Sequence, residues 1–293
     1  MTDAERITRA LRGRWHGRYG VACCPVHGDK RPSLSLADGD GGRLLARCHA
    51  GCRFEAILDA LRGLGLVEGR GTYSPLSPAD LARIEAAERA EAEKRERQAL
   101  AVWRAGQPVN GTVAETYLRG RGITCVLPDT LRFHPDCWHP SARRFPALLA
   151  HVDGAARFAL HRTYLRPDGR GKADAEPAKA MLGATAGGAV RLTEADGALV
   201  VCEGIETGLS LASGLLQRPA TIWAALSTSG VGGLRLPDHP HRLTIATDGD
   251  APGKAAGHKL AQRAAALGWQ VNILPAPEGK DWNDILMKKG AAA

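Results

Sequence analysis

Two stretches place carboxylates where they can act together. Glu203 follows the apolar run Leu199-Val200-Val201-Cys202 and precedes Gly204, while Asp248 and Asp250 flank Gly249 directly after Leu243-Thr244-Ile245-Ala246-Thr247. A turn at Gly249 can swing the two aspartates to one side, where each raises the cost of ionising the other. A divalent cation removes that repulsion, and magnesium favours a few carboxylate oxygens together with water and phosphate. Asp-Gly-Asp alone is also an ordinary polar turn. What argues for chemistry is the further acidic element Lys280-Asp281-Trp282-Asn283-Asp284, shortly after the last apolar run. Asp281 and Asp284 stand three residues apart at the start of an expected helix. There they share a face and either aim at a second metal or its water, or cap the helix N-terminus.

A separate set of ligand-type residues lies near the start of the chain: Cys24-Pro25-Val26-His27, then Cys48-His49-Ala50-Gly51-Cys52. Residues 33–36 and 44–47 read as strands joined by Asp38-Gly39-Asp40-Gly41-Gly42, a strong turn signal, so a hairpin brings both pairs to one end. Nitrogen and sulfur donors in two close pairs match tetrahedral structural zinc, with Cys24, His27, Cys48 and Cys52 as ligands.

The elements that must hold the acids follow from periodicity. Residues 199–202, 221–225, 243–247 and 269–274 are short β-rich runs alternating with helical runs, including 205–214 and 251–267. Such alternation predicts an α/β parallel sheet with right-handed crossovers. The acids fall at the carboxyl edge of that sheet, where open α/β sheets bind ligands. Upstream, helices are expected over 3–13, 53–66, 78–105 and 112–121. The third opens on Ser77 as N-cap with Pro78 at the first helical position. It is rich in alternating charge and reads as a solvated spacer. Residues 145–192 are strand-like, with strands over 147–152 and 156–165, and carry Arg157, Arg162, Arg166, Arg170, Lys172 and Lys179; His161 reads as structural. The breaker-rich stretch 69–75 marks a linker. The expected organisation is a small module over 1–68, a helical region over 69–124 and a larger domain over 125–293, α+β overall.

The net charge of +8 and pI near 9.3 suit a polyanionic partner. Clustered Cys and His, with no apolar run approaching the roughly 20 residues of a membrane helix and no secretory signal, place the chain in a cytoplasm and favour metal over disulfides.

The ordered set of Glu203-Gly204, Asp248-Gly249-Asp250 and the Lys280 to Asp284 element resembles the Toprim domain. That metal-binding domain is shared by bacterial-type primases, type IA and type II topoisomerases and some nucleases. The final element is similar to phage and plasmid primases, and the Toprim part proper is expected over about 197–290. The cysteine module resembles the Cys-His-Cys-Cys zinc ribbon of bacterial-type primases, down to Lys30-Arg31-Pro32-Ser33. It departs in having three residues between the second pair of cysteines, which leaves His49 and Cys23 open as substitute ligands.

The resemblance implies a DNA primase that makes short RNA primers on single-stranded DNA from nucleoside triphosphates. Glu203, Asp248 and Asp250 would bind magnesium or manganese, with Asp281 and Asp284 completing the catalytic acids. Arg162, Lys172, Lys179 and Lys280 would engage DNA or triphosphate. No P-loop is present, so unwinding would fall to a separate replicative helicase. The alternatives are a Toprim nuclease using the same carboxylates, and a non-catalytic DNA-binding module like a recombination mediator.

Overall fold

The computed structural model describes residues 3–29, 31–39, 43–67 and 78–291. Lys30, the turn residues 40–42, the linker stretch and the Ser77 cap lie outside them. The chain divides into two compact units, residues 1–91 and 92–293.

In the first unit α1 (Asp3–Ala10) precedes β1 (Arg14–Trp15), β2 (Tyr19–Ala22), β3 (Leu34–Asp38) and β4 (Leu44–Cys48), followed by α2 (Phe54–Gly63). The strands form an antiparallel sheet in chain order. The β3–β4 hairpin was expected, whereas β1 and β2 are too short to show a period. Gly20 makes their packing feasible, because a Cβ there would lie 1.9 Å from Thr8 Oγ1 of α1. Ile7, Leu34, Leu36, Ile57 and Leu61 close a small core that takes in Cys24 and Cys48. The module therefore has apolar packing of its own beside its ligand residues.

The boundary between units falls inside α3 (Pro78–Ala105). Its C-terminal part is more than a solvated spacer. Ala99 is fully buried, Glu96 accepts from Arg157 Nη1 at 2.9 Å and from the Phe158 N–H at 3.1 Å, and Arg132 lies over Trp103. The intervening charges hid this docking face.

The second unit continues with β5 (Gln107–Pro108), α4 (Val113–Gly120), β6 (Leu131–Trp138), β7 (Arg144–Val152), β8 (Ala159–Tyr164) and β9 (Lys179–Leu182). These strands form one antiparallel sheet in chain order. The sequence did not show β6, whose pattern is interrupted by Pro135 and a register shift between His134 and Cys137.

Then come β10 (Val190–Thr193), β11 (Leu199–Cys202), α5 (Ile205–Ser210), β12 (Thr221–Ala224), α6 (Thr228–Gly233), β13 (Arg242–Thr247), α7 (Ala251–Ala266), β14 (Gln270–Pro275) and α8 (Trp282–Ala291). The sheet order is β10-β12-β11-β13-β14. The four expected strands are parallel to one another, and β10 adds an antiparallel edge beside β12. After α5 the chain makes one wide helical turn, which Gly214 ends at φ +100°. Apolar residues of both sheets, including Leu148, Val152, Leu192, Val200 and Ile222, share a continuous core. The described residues thus form a mixed α/β fold in which one sheet is mainly parallel and two are antiparallel. Among the described residues no helix is long and apolar enough to cross a membrane.

Candidate active site and metal centre

Cys202 of β11 sits opposite Ala246 of β13 in parallel register. Glu203 and the Asp248 turn therefore leave the sheet side by side at its carboxyl edge. Burial, then the charges of Asp248 and Asp250, push the Glu203 carboxyl above its ordinary range. Burial, then Asp281 and Asp250, push Asp248 up to about 6. The Asp248 Oδ1 atom is buried with no hydrogen-bond partner. Asp250 has a local task as well, since its Oδ1 accepts from the Gly253 N–H at 2.8 Å as the N-cap of α7.

Gly249 is the reason Asp281 comes close enough to act on Asp248. Its N–H donates to the Lys280 carbonyl at 2.9 Å, and a Cβ at this position would lie 2.0 Å from Pro277 O. No side chain fits, so the loop before α8 rests on the turn between the two aspartates. Asp281 and Asp284 cap α8 reciprocally: the Asp284 N–H donates to Asp281 Oδ1 at 2.8 Å and the Asp281 N–H to Asp284 Oδ2 at 3.2 Å. Capping and a negative field on Asp248 thus coexist in the same carboxylates. Asn283, 2% exposed, donates to Arg121 O and to Ser210 Oγ, each at 2.9 Å, and so pins α8 against α5.

In the first unit the ligand atoms of Cys24, His27, Cys48 and Cys52 all lie within 4.8 Å of one another. Tetrahedral zinc with thiolate bonds of about 2.3 Å needs donors roughly 3.8 Å apart, so this set fits it. His27 Nε2 is 3.3 Å from Cys48 Sγ, while Nδ1 lies 3.1 Å from Asp29 Oδ1. Asp29 also accepts from the Cys24 N–H at 3.1 Å and from the Ser33 hydroxyl. One carboxylate thus fixes the backbone of one ligand and the ring of the next. Burial lifts the Cys24 thiol to about 12. Burial also raises Cys48, but hydrogen bonds from Ser33 and His27 prevail and bring it down to about 6. His49 points elsewhere, with Nε2 2.8 Å from Ser35 Oγ, and neither His49 nor Cys23 joins the set. Among the described residues the sheet-edge acids do not close to a common ligand spacing in this way.

Residues 198–292 match the family model of the Toprim domain. The chain carries a Toprim domain. Residues 93–192, just upstream, match a family described as a domain of unknown function (DUF7146). No curated protein matches. Among solved structures, a DNA primase domain from Pseudomonas aeruginosa is similar at 18% identity and a TM-score of 0.42, over 67% of this chain and 75% of that one. The zinc-binding and RNA polymerase domains of the Aquifex aeolicus primase align at 15% identity and 0.42, over 100% and 83%. The primase fragment of the bacteriophage T7 primase-helicase protein aligns at 17% and 0.33, over 50% and 63%.

The basic residues expected near the Toprim acids divide sharply. Arg162 is 6% exposed; its Nη1 donates to Trp138 O at 3.1 Å and its Nη2 to Met181 O at 3.4 Å. It secures the antiparallel sheet instead of facing solvent, because β8 is buried along its whole length. His161 beside it is buried and, mainly through burial, held down at about 4. Lys280 is exposed on the loop that rests on Gly249. Lys172 and Lys179 are about one-third exposed and reach the same buried carboxylate, Glu206. Glu206 escaped the sequence reading. Its one signal was an acid inside an otherwise apolar helix start, three residues after Glu203.

Proposed function

We propose that this chain is a DNA primase that joins ribonucleotides on a single-stranded DNA template by metal-dependent nucleotidyl transfer. The observation that carries this reading is Asp248 at the edge of a Toprim sheet. It has a buried oxygen without a protein partner and stands among acids that raise its pKa. Such a carboxylate is costly unless a cation takes up its charge.

Glu203, Asp248 and Asp250 would hold magnesium or manganese, which when bound lowers the pKa of an attacking 3′-hydroxyl and offsets charge on departing pyrophosphate. The remaining work belongs to the chain's own groups. Lys172, Lys179 and exposed Lys280 supply positive charge for triphosphate and template phosphates. Asp281 and Asp284 fix the start of α8 and set the field at Asp248. Cys24, His27, Cys48 and Cys52 would hold structural zinc in a module that engages the template. Single-stranded DNA and nucleoside triphosphates are the substrates of this reading, and a separate helicase is its partner.

The test is incubation with single-stranded DNA, magnesium and labelled ribonucleotides. Template-dependent products support the primase. Magnesium-dependent cutting without synthesis would replace it with a Toprim nuclease, and DNA binding with neither activity would replace it with a non-catalytic module.

A further inference from the structure

Glu206 lies on the first turn of α5, 6% exposed, and its two oxygens are engaged from three sides. Tyr117 donates its hydroxyl to Oε1 at 2.8 Å, Lys179 Nζ lies 3.2 Å from Oε2, and Lys172 Nζ lies 3.7 Å from Oε1. Burial alone would raise this carboxyl, but the ammoniums of Lys179 and Lys172 prevail and hold it well below the usual carboxylate range. One carboxylate thus anchors two ammoniums. Both lysine side chains remain about one-third exposed, at 34% and 37%, while their ammoniums meet Glu206. Lys179 also lowers the pKa of both Glu203 and Asp248, which places its charge within electrostatic reach of the metal-site acids.

We infer that Glu206 is a positioning residue that holds Lys172 and Lys179 as an anion-receiving pair beside the Toprim acids, for the polyphosphate of a nucleotide substrate. The inference rests on the nucleotidyl-transfer reading for the identity of the substrate, but not for the placement of the pair. An ammonium on a flexible stem loses rotamer entropy when it receives phosphate, a cost that is smaller where the stem is already held. Glu206 reduces it from inside the fold. The hydroxyl of Tyr117 holds the carboxylate in turn, and Ser210, which donates to Glu206 O at 2.7 Å, receives Asn283 of the capped helix α8. The Lys280 to Asp284 element and the two lysines are therefore braced through the same short helix α5.

Removing the carboxylate charge also changes titration. The groups facing Lys172 are Glu206, Lys179 and Arg121; burial chiefly lowers its pKa and Glu206 opposes that. Without the Glu206 charge, the Lys172 ammonium is lost at lower pH, so the alkaline limit of anion binding moves down.

The experiment measures binding of inorganic tripolyphosphate to the wild-type chain and Glu206→Gln across pH 6 to 10, by calorimetry without divalent ions. The amide keeps the shape and an acceptor for Tyr117. The expected result is about tenfold weaker binding at neutral pH and an alkaline limit displaced to lower pH. Equal affinity with an unmoved limit would overturn the inference. Should Glu206→Gln fail to fold, Lys172→Met is compared with Glu206→Gln/Lys172→Met, which loses one charge of each sign. Equal binding by those two overturns it equally, and weaker binding by the double variant supports it. Ribonucleotide incorporation by the wild type, assayed separately, tests the primase reading. A chain that binds tripolyphosphate through this pair but makes no primer would sink that reading and keep Glu206 in its role.

Discussion

Gly249 and Lys280 are joined by a backbone hydrogen bond of 2.9 Å, which ties the turn between the two sheet-edge aspartates to the loop that opens α8. The contact is possible because Gly249 has no Cβ, whose place is 2.0 Å from Pro277 O. Gly249→Ala must push that loop away. It should cost about 2 kcal/mol or more and suppress incorporation by displacing Asp281 from Asp248. Thermal unfolding and primer synthesis check both effects; a variant of wild-type stability and activity would show that the loop does not depend on this contact.

Asp281 has two separable effects. Asp281→Ala removes an N-cap and should cost about 1 kcal/mol of stability. It also removes the largest charge that raises Asp248. Asp248 then ionises at lower pH, so the acid limb of incorporation should move to lower pH in the variant. An unmoved limb in a pH profile would reduce Asp281 to a cap.

The metal centre yields a prediction independent of catalysis. The purified chain should contain one zinc ion, which Cys52→Ser loses and His49→Ala keeps. Asp29→Asn should weaken zinc affinity roughly tenfold, because Asp29 orients the His27 ring and the Cys24 backbone. Chelation should release hydrogen-exchange protection in residues 20–55 while sparing the Toprim domain. Zinc retained by Cys52→Ser would shift the ligand set.

His161 sets an acid limit on the stability of the second unit. Its folded pKa, about 4, lies below the ordinary 6.5, chiefly because burial disfavours the charged ring. The unfolded chain therefore binds the extra proton first. The stability is fully present above 6.5 and is lost as pH falls towards 4, by about 3 kcal/mol at the limit. Denaturant unfolding of wild type should show this fall and His161→Gln should flatten it; parallel slopes would contradict it.

What could be read from the sequence was what local pattern determines. The four parallel strands, the helices α5 and α7 and the two ligand pairs of the hairpin were visible because apolar runs end abruptly in Glu203, Asp248 and glycine, and because closely spaced cysteine and histidine pairs are a local pattern; the short α6 was not. Glu206 was not visible: its value comes from Tyr117, Lys172 and Lys179, which lie 27 to 89 residues away along the chain and meet only in the fold. Arg162 misled for the complementary reason. A basic residue in a strand looks like a phosphate contact until both faces of that strand are seen to be covered. The docking of α3 was concealed because Ala99 and Trp103 are too few to give a clear stripe among so many charges.

The central claim is that Asp248 holds a catalytic cation. Asn is nearly isosteric with Asp, so Asp248→Asn should keep the fold and the affinity for single-stranded DNA, while losing the charge that binds the ion. Template-dependent incorporation of labelled ribonucleotides, measured for wild type and Asp248→Asn with magnesium, should fall by about a thousandfold or more at unchanged DNA affinity. Incorporation by the variant at the wild-type rate would contradict the account.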